Sequence, residues 1–151
     1  MVQKLRDRSN GESGFTLVEL LVVMLILGLL AAIAIPSFFN QRDKAKDADA
    51  KAAVRTAQTA METYATDHGG SYSEGTPLAA DLVAIEPSLG NADLQDPSGL
   101  AAKAYTVTVN SEVDGQSFSI SRAADGTLDS DCDTEGTAGC PEGGNWAADG
   151  D

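Results

Sequence analysis

A single carboxylate, Glu19, lies inside an otherwise apolar stretch near the start of the chain. Between residues 15 and 35 only Thr16 and Glu19 are polar, and about 20 apolar residues are enough for a helix to cross the hydrocarbon core of a bilayer. A charged side chain within such a helix is costly and usually marks a functional pairing. Glu19 is therefore the first candidate functional residue, and the chemistry it predicts is pairing with a cation in an apolar layer.

The residues before this stretch indicate a removable leader. Residues 1–14 are polar, carry Lys4, Arg6 and Arg8, and end on the small residue Gly14. An ordinary secretory signal is cut after its apolar region and loses that region, whereas here the small residue precedes it. The leader is thus predicted to be removed while the apolar segment stays in the protein.

The succession of Gly14, Phe15 and Glu19 resembles the signal of the type IV pilin family, which has a glycine, then a phenylalanine, then a glutamate as fifth residue of the mature chain. The match extends over about residues 11–68. The resemblance implies that a membrane-embedded prepilin peptidase cuts between Gly14 and Phe15 and methylates the new amine of Phe15. It also implies that Glu19 pairs with the N-terminal amine of a neighbouring subunit and so sets the axial register of a filament.

Gly28 and Pro36 also match positions where the family commonly has a glycine and a helix-kinking proline. Both residues weaken a helix, and an interior proline clashes with the carbonyl four residues before it, here that of Ala32. The resemblance implies a kink at Pro36 and melting between the two residues in the assembled filament. The alternative is that the alanines between them keep the segment helical and that Gly28 serves close packing.

The charge of the chain is unevenly placed. The length of 151 residues is typical of a single domain. A net charge of −13 argues against nucleic acid as the partner of the whole chain. Lys and Arg outnumber Asp over residues 42–55, whereas only two cations oppose 17 carboxylates from residue 56 onward. We interpret the basic segment as a solvated helix face in which Asp47 and Lys51 form an i,i+4 pair. A contact between subunits is the alternative.

Periodicity predicts an α+β fold built on one long helix. Beyond Pro36 apolar residues recur at intervals of three and four residues. This spacing predicts an amphipathic continuation of the helix over residues 36–68. The head, residues 69–151, is predicted to place an antiparallel sheet of three or four strands on this helix.

Two strands of that sheet are predicted from the alternation around Val107 and Phe118, and a third is placed near residues 126–128. Residues 72–99 are predicted to form a loop with a short helix near 79–85. The tail from residue 129 is rich in turn-forming residues and is predicted to be ordered only by tethering.

The two cysteines, Cys132 and Cys140, lie in this tail. A disulfide is the favoured interpretation, and two free thiols or a metal pair are the alternatives. Many type IV pilins close a C-terminal loop in this way. Formation of the bond would require an oxidising compartment.

Four acidic residues of the tail are spaced like the start of an oxygen-rich calcium loop. They are Asp129, Asp131, Asp133 and Glu135. The pattern is incomplete, because Thr134 and Cys140 stand where such a loop has glycine and glutamate. We favour a solvated acidic loop over a calcium site, although some secretion pseudopilins bind calcium near their C-terminus. No cofactor is predicted.

The residues contain no nucleophile–base pair, phosphate loop or metal-ligand cluster, which predicts a protein that is not an enzyme. The resemblance implies a structural subunit of a type IV pilus, used in adhesion, motility or DNA uptake. Its expected partners are further copies of itself, prepilin peptidase and an inner-membrane assembly machinery. It would cross the cytoplasmic membrane once before assembly and be extracellular afterwards. The alternatives are a type II secretion pseudopilin and a membrane-anchored binding protein that never polymerises and needs neither the Gly14 cut nor Glu19.

Overall fold

The computed structural model describes residues 14–147. The predicted leader therefore lies outside the described residues except for Gly14. The chain divides into two units, one ending at Phe38 and the other beginning at Phe39.

One long helix, α1, runs from Leu17 to Asp67 and includes Pro36 without a break in its assignment. The prediction of a helix continuing to about residue 68 is confirmed. A pair of glycines ends it, with Gly69 at φ +65° and the N–H of Gly70 donating to the carbonyl of Ala65 at 2.7 Å. This is a Schellman cap, which favours glycine because the backbone turns left-handed there.

The first part of α1 carries apolar side chains on all sides. From Phe15 to Phe39 the large apolar residues are 47–82% exposed in the isolated chain. By length and composition, this helix could span a membrane. A helix that is apolar all round needs an apolar environment on every side, either lipid or other helices.

The second part of α1 packs on the sheet through a stripe of small and apolar residues. Its buried members are Ala50, Val54, Ala57, Ala60, Met61, Tyr64 and Ala65. They pack in one core with the inward-facing residues of the two central strands, which are Tyr105, Val107, Val109, Phe118 and Ile120. Four of these seven residues are alanine, whose small side chain lets the sheet approach the helix closely.

The sheet has five antiparallel strands, one more than the upper prediction. They are β1 (Asp93–Leu94), β2 (Ser98–Ala101), β3 (Ala104–Asn110), β4 (Ser117–Arg122) and β5 (Leu128–Cys132). The order is β1-β3-β4-β5, and β2 also pairs with β3. Strands β1 and β2 were not predicted, because they are two and four residues long and lack a period-2 pattern.

The connection between α1 and β3 contains a second helix, α2 (Ala79–Ile85), at the predicted position. A short 3₁₀ helix (Pro87–Asn91) follows it. The start of α2 is joined to the segment between β1 and β2, since the N–H of Ala79 donates to Asp96 at 2.9 Å. The segment is therefore held against one edge of the sheet.

The third strand predicted near residues 126–128 begins at Leu128, and the prediction of a tail ordered only by tethering is wrong for residues 129–132. Residues 128–132 form β5 along β4, with Ser130 opposite Ile120 and Cys132 opposite Phe118. Ser130 and Cys132 face inward while Asp129 and Asp131 face outward. The pattern was overlooked because serine and cysteine take the buried positions that period-2 analysis expects apolar residues to occupy.

Candidate assembly site and loop anchor

Glu19 and Thr16 form a reciprocal cap at the start of α1. The Glu19 carboxylate accepts hydrogen bonds from the backbone N–H and the hydroxyl of Thr16, both at 2.9 Å. The Thr16 hydroxyl in turn accepts from the N–H of Glu19 at 3.2 Å. This capping box satisfies donors that a helix start otherwise leaves without partners. It was not anticipated, although a threonine three residues before a glutamate is its sequence signature.

Both hydrogen bonds that the Glu19 carboxylate accepts from Thr16 use Oε2. Among the described residues, Oε1 has no hydrogen-bond partner, so the cap leaves one carboxylate oxygen for a cation from outside the chain. The Gly14–Phe15 bond lies before the helix, in exposed backbone without regular structure. Such backbone is what a peptidase requires.

Replacing Thr16 by valine removes the hydroxyl while keeping the shape of the side chain. We expect the first turn of α1 to lose about 1 kcal/mol, the usual value of an N-cap. Amide hydrogen exchange in detergent micelles checks this, and the amides of the first turn should exchange several-fold faster than in the parent. Thr16→Ser, which keeps the hydroxyl, should exchange at the parent rate; equal rates in the valine and serine variants would exclude the cap.

Gly28 and Pro36 are both inside the continuous α1, and a Cβ built on Gly28 would meet nothing within 4 Å. The isolated chain thus gives Gly28 no packing role of its own. Close approach of another helix remains the reason we expect for a glycine there.

A buried carboxylate, Asp47, joins the second part of α1 to the loop after β5. It is fully buried, and it accepts hydrogen bonds from the hydroxyl of Ser111 at 2.6 Å and from the N–H of Gly139 at 2.8 Å. A Cβ on Gly139 would lie 2.7 Å from the Cβ of Asp47, so only glycine fits. The interpretation of Asp47 as part of a solvated face is wrong, because charge spacing alone does not show what a later segment places over the helix.

Lys51 anchors the same loop from the next turn of α1. Its ammonium donates to the carbonyl of Gly139 at 2.5 Å and lies 5.2 Å from the ring centroid of Phe118. Arg55 lies 5.2 Å from the ring of Trp146. The indole N–H of Trp146 donates to the carbonyl of Asp131 at 2.9 Å. These contacts fix the chain after β5 onto both the helix and the sheet.

The disulfide between Cys132 and Cys140 closes this loop and confirms the favoured interpretation of the two cysteines. The loop is short, so chain-entropy estimates give the bond roughly 2–3 kcal/mol. It holds Gly139 next to Asp47 and Lys51. The bond therefore supports the anchor from the loop side.

The four carboxylates weighed as a calcium loop are not gathered into one site. Among residues 14–147 no three His, Cys, Asp or Glu side chains are grouped so as to hold a metal ion. Asp131 accepts from the N–H of Cys132, Asp133 from the hydroxyl of Ser117, and Glu135 from the N–H of Gly143. Because β5 extends the backbone, Asp129 and Asp131 follow a strand rather than curl around an ion.

A second cluster joins α1 to the sheet through Glu62. Its carboxylate accepts from the hydroxyls of Tyr72 at 2.6 Å and Tyr105 at 3.0 Å, and it lies 3.6 Å from the guanidinium of Arg122. Burial raises the pKa of both tyrosines above their ordinary value, and the hydrogen bonds to Glu62 raise the pKa further. Both hydroxyls are therefore held protonated.

This cluster predicts loss of stability in alkali. A group whose pKa is raised by folding stabilises the protein fully below its ordinary pKa, about 10 for tyrosine, and loses that contribution as the pH rises above it. The thermal midpoint should hold to about pH 10 and then fall. Absorbance at 295 nm, which reports tyrosinate, should rise together with unfolding. In Tyr105→Phe the fall should be shallower, and an unchanged alkaline limb would contradict the assignment.

The fold and the capped carboxylate together define a class of protein. An exposed apolar helix carries one carboxylate in its first turn and continues into the helix of an α+β head. Residues 9–35 match the family model of the prokaryotic N-terminal methylation motif. No solved structure matches the chain.

The chain is similar to several curated proteins over part of its length. It is 38% identical over 82 residues to the type IV narrow pilus major component PilA5 of Thermus thermophilus, covering 45% of this chain and 71% of that protein. It is 36% identical over 78 residues to the type IV major pilin protein PilA of Myxococcus xanthus, covering 52% of this chain and 33% of that protein. It is 40% identical over 57 residues to the type II secretion system core protein G of Pseudomonas aeruginosa, covering 38% of this chain and 40% of that protein.

The chain belongs to the type IV pilin family. It spans less than half of the length of the Myxococcus and Pseudomonas relatives. The resemblance noted from Gly14, Phe15 and Glu19 is confirmed at the level of the family.

Proposed function

We propose that the chain is a structural subunit of an extracellular type IV pilus and is not an enzyme. In this proposal prepilin peptidase cuts after Gly14 and methylates Phe15, the apolar part of α1 holds the subunit in the cytoplasmic membrane, and assembly moves that helix into a filament core. The filament then serves adhesion, motility or DNA uptake.

The observation that carries the proposal is the first part of α1. Its side chains are apolar on every side and exposed, and its carboxylate is capped on one oxygen. A helix of this kind is satisfied by lipid before assembly and by neighbouring helices after it. The amine of Phe15 from a neighbouring subunit provides the cation for Glu19, because a charge left alone in an apolar layer costs several kcal/mol.

The disulfide favours a pilin over the second candidate, a pseudopilin of a type II secretion system. Both candidates share cleavage, the apolar helix and Glu19. They differ in product, since a pilus is abundant on the cell surface, while a pseudopilus serves secretion. Deleting the gene would therefore remove surface filaments in the first case and stop secretion of an exported enzyme in the second.

The experiment that tests the proposal is intact mass and N-terminal sequencing of protein sheared from the cell surface, with and without reduction. A chain that begins at methylated Phe15 and is two hydrogens lighter before reduction would support an extracellular, disulfide-closed pilin. An uncut chain beginning at Met1 and found only in membranes would refute it. That result would leave the membrane-anchored binding protein.

A further inference from the structure

The cations of the head are concentrated on one stretch of α1. Residues 42–55 contain five Lys or Arg, and from residue 56 onward 17 carboxylates face only Lys103 and Arg122. Arg122 is already paired with Glu62. Heads of this composition repel one another at the short distances of a filament unless opposite charges meet.

A basic notch lies where this stretch meets the disulfide-closed loop. It is a surface cavity of about 350 Å³. Its lining residues are Lys44, Lys51, Ala138, Gly139, Cys140, Pro141 and Trp146. Lys44 and Arg55 are exposed and form no salt bridge within residues 14–147. Because Trp146 and Cys140 are tied to β5, the notch lies at the β5 edge of the sheet.

An acidic segment lies at the opposite edge. Residues 69–102 contain no Lys or Arg and carry five carboxylates, which are Glu74, Asp81, Glu86, Asp93 and Asp96. Its strands β1 and β2 pair with β3 on the side away from β4 and β5. None of these five carboxylates forms a salt bridge with a described residue.

The two patches are complementary, but they stand at opposite edges of one sheet. They cannot meet within a molecule, and each copy presents both. A contact between two different surfaces of identical subunits is heterologous. Such contacts repeat from copy to copy and build an open helical assembly when the rotation between neighbouring subunits does not close a ring. The partner that fits is therefore a second copy of this chain.

Resting on the proposed filament assembly, we infer that the basic notch of one subunit receives the acidic segment of the next. Lys44 and Arg55 supply the charges that reach the neighbour, while Lys51 holds the loop that forms the wall of the notch. Trp146 gives the notch a rigid apolar side. The contact lies between heads and adds to packing of the apolar helices.

Charge reversal in the full-length chain tests this inference, with sheared filaments weighed per cell. Lys44→Glu with Arg55→Glu should lower filament yield by about tenfold or more, because like charges then face each other. Glu74→Lys with Glu86→Lys removes most of the negative charge of the acidic segment and should also lower the yield; neither side chain takes part in the anchor. All four changes in one chain place two new lysines opposite two new glutamates, so this variant should recover part of the yield.

The controls are Lys103→Glu and Asp114→Lys, each of which reverses one charge outside both patches, and both should assemble normally. Variants are compared only after intact mass shows the disulfide and cleavage after Gly14. If a reversal variant fails to fold, Lys44→Gln with Arg55→Gln replaces it, and a several-fold loss of yield is expected. Normal assembly of the notch variants, or no recovery in the fourfold variant, would overturn the inference. A parent chain that is cut but forms no filament would overturn the proposed function as well.

Discussion

Glu19→Ala is expected to leave cleavage after Gly14 intact and to lower the yield of assembled filaments more than about a hundredfold. In the proposed filament the amine of Phe15 would lose its carboxylate partner within an apolar core. Removing one partner of a buried pair costs about 3–5 kcal/mol, and each 1.4 kcal/mol is a factor of about ten. Quantified sheared filaments, with processing confirmed by mass spectrometry, provide the measurement.

Two further variants separate the charge of Glu19 from its cap. Glu19→Gln keeps a side-chain oxygen that can accept from Thr16 but carries no charge, so it should assemble nearly as poorly as the alanine variant. Thr16→Val keeps the charge and should assemble far better than either. Parental filament yield from the glutamine variant would show that the carboxylate acts through the cap alone and would refute the pairing.

Asp47→Ala is expected to lower the free energy of unfolding of the head by about 3 kcal/mol. The substitution leaves two partly buried donors without an acceptor, the N–H of Gly139 and the hydroxyl of Ser111, and an unsatisfied buried group costs about 1–3 kcal/mol. Denaturant titration of the full-length chain in micelles gives the value. Trp146 is the only tryptophan and lies on the anchored loop, so its fluorescence reports the transition directly.

The control for this prediction is Asp49→Ala, two residues further along the same helix. Asp49 is exposed, and exposed substitutions usually change stability by less than about 0.5 kcal/mol. Equal losses in the two variants would mean that the effect comes from helix charge rather than from the anchor. Asp47→Asn should fall between the parent and the alanine variant, since its amide oxygen can still accept one of the two hydrogen bonds.

The long helix and the central strands were predictable because each depends on local pattern. Apolar residues at intervals of three and four predicted the buried face of α1, on which Met61 and Tyr64 lie. Strict alternation of apolar and polar residues predicted β3 and β4, and the buried residues of both strands follow the same period of two. These signals come from neighbours in the chain, so one sequence is enough to detect them.

Other parts of the fold depend on contacts between distant residues. Strands β1 and β2 form because they pair with β3 at one edge of the sheet, and β5 forms because it pairs with β4 at the other edge. Asp47 is buried only because Gly139, 92 residues away in the chain, lies over it. Neither a short strand nor a buried acid has a local pattern that distinguishes it from a loop or a solvated face.

By itself, the sequence determined the family signal at Gly14, Phe15 and Glu19, the apolar helix and the excess of acid in the head, because these depend on residue type and spacing alone. The tertiary structure decided which charges are buried, which edge of the sheet is basic and which is acidic, and how the disulfide loop is held. Those properties depend on tertiary contacts, since hydrogen bonds and burial are set by which segments pack together rather than by their order in the chain.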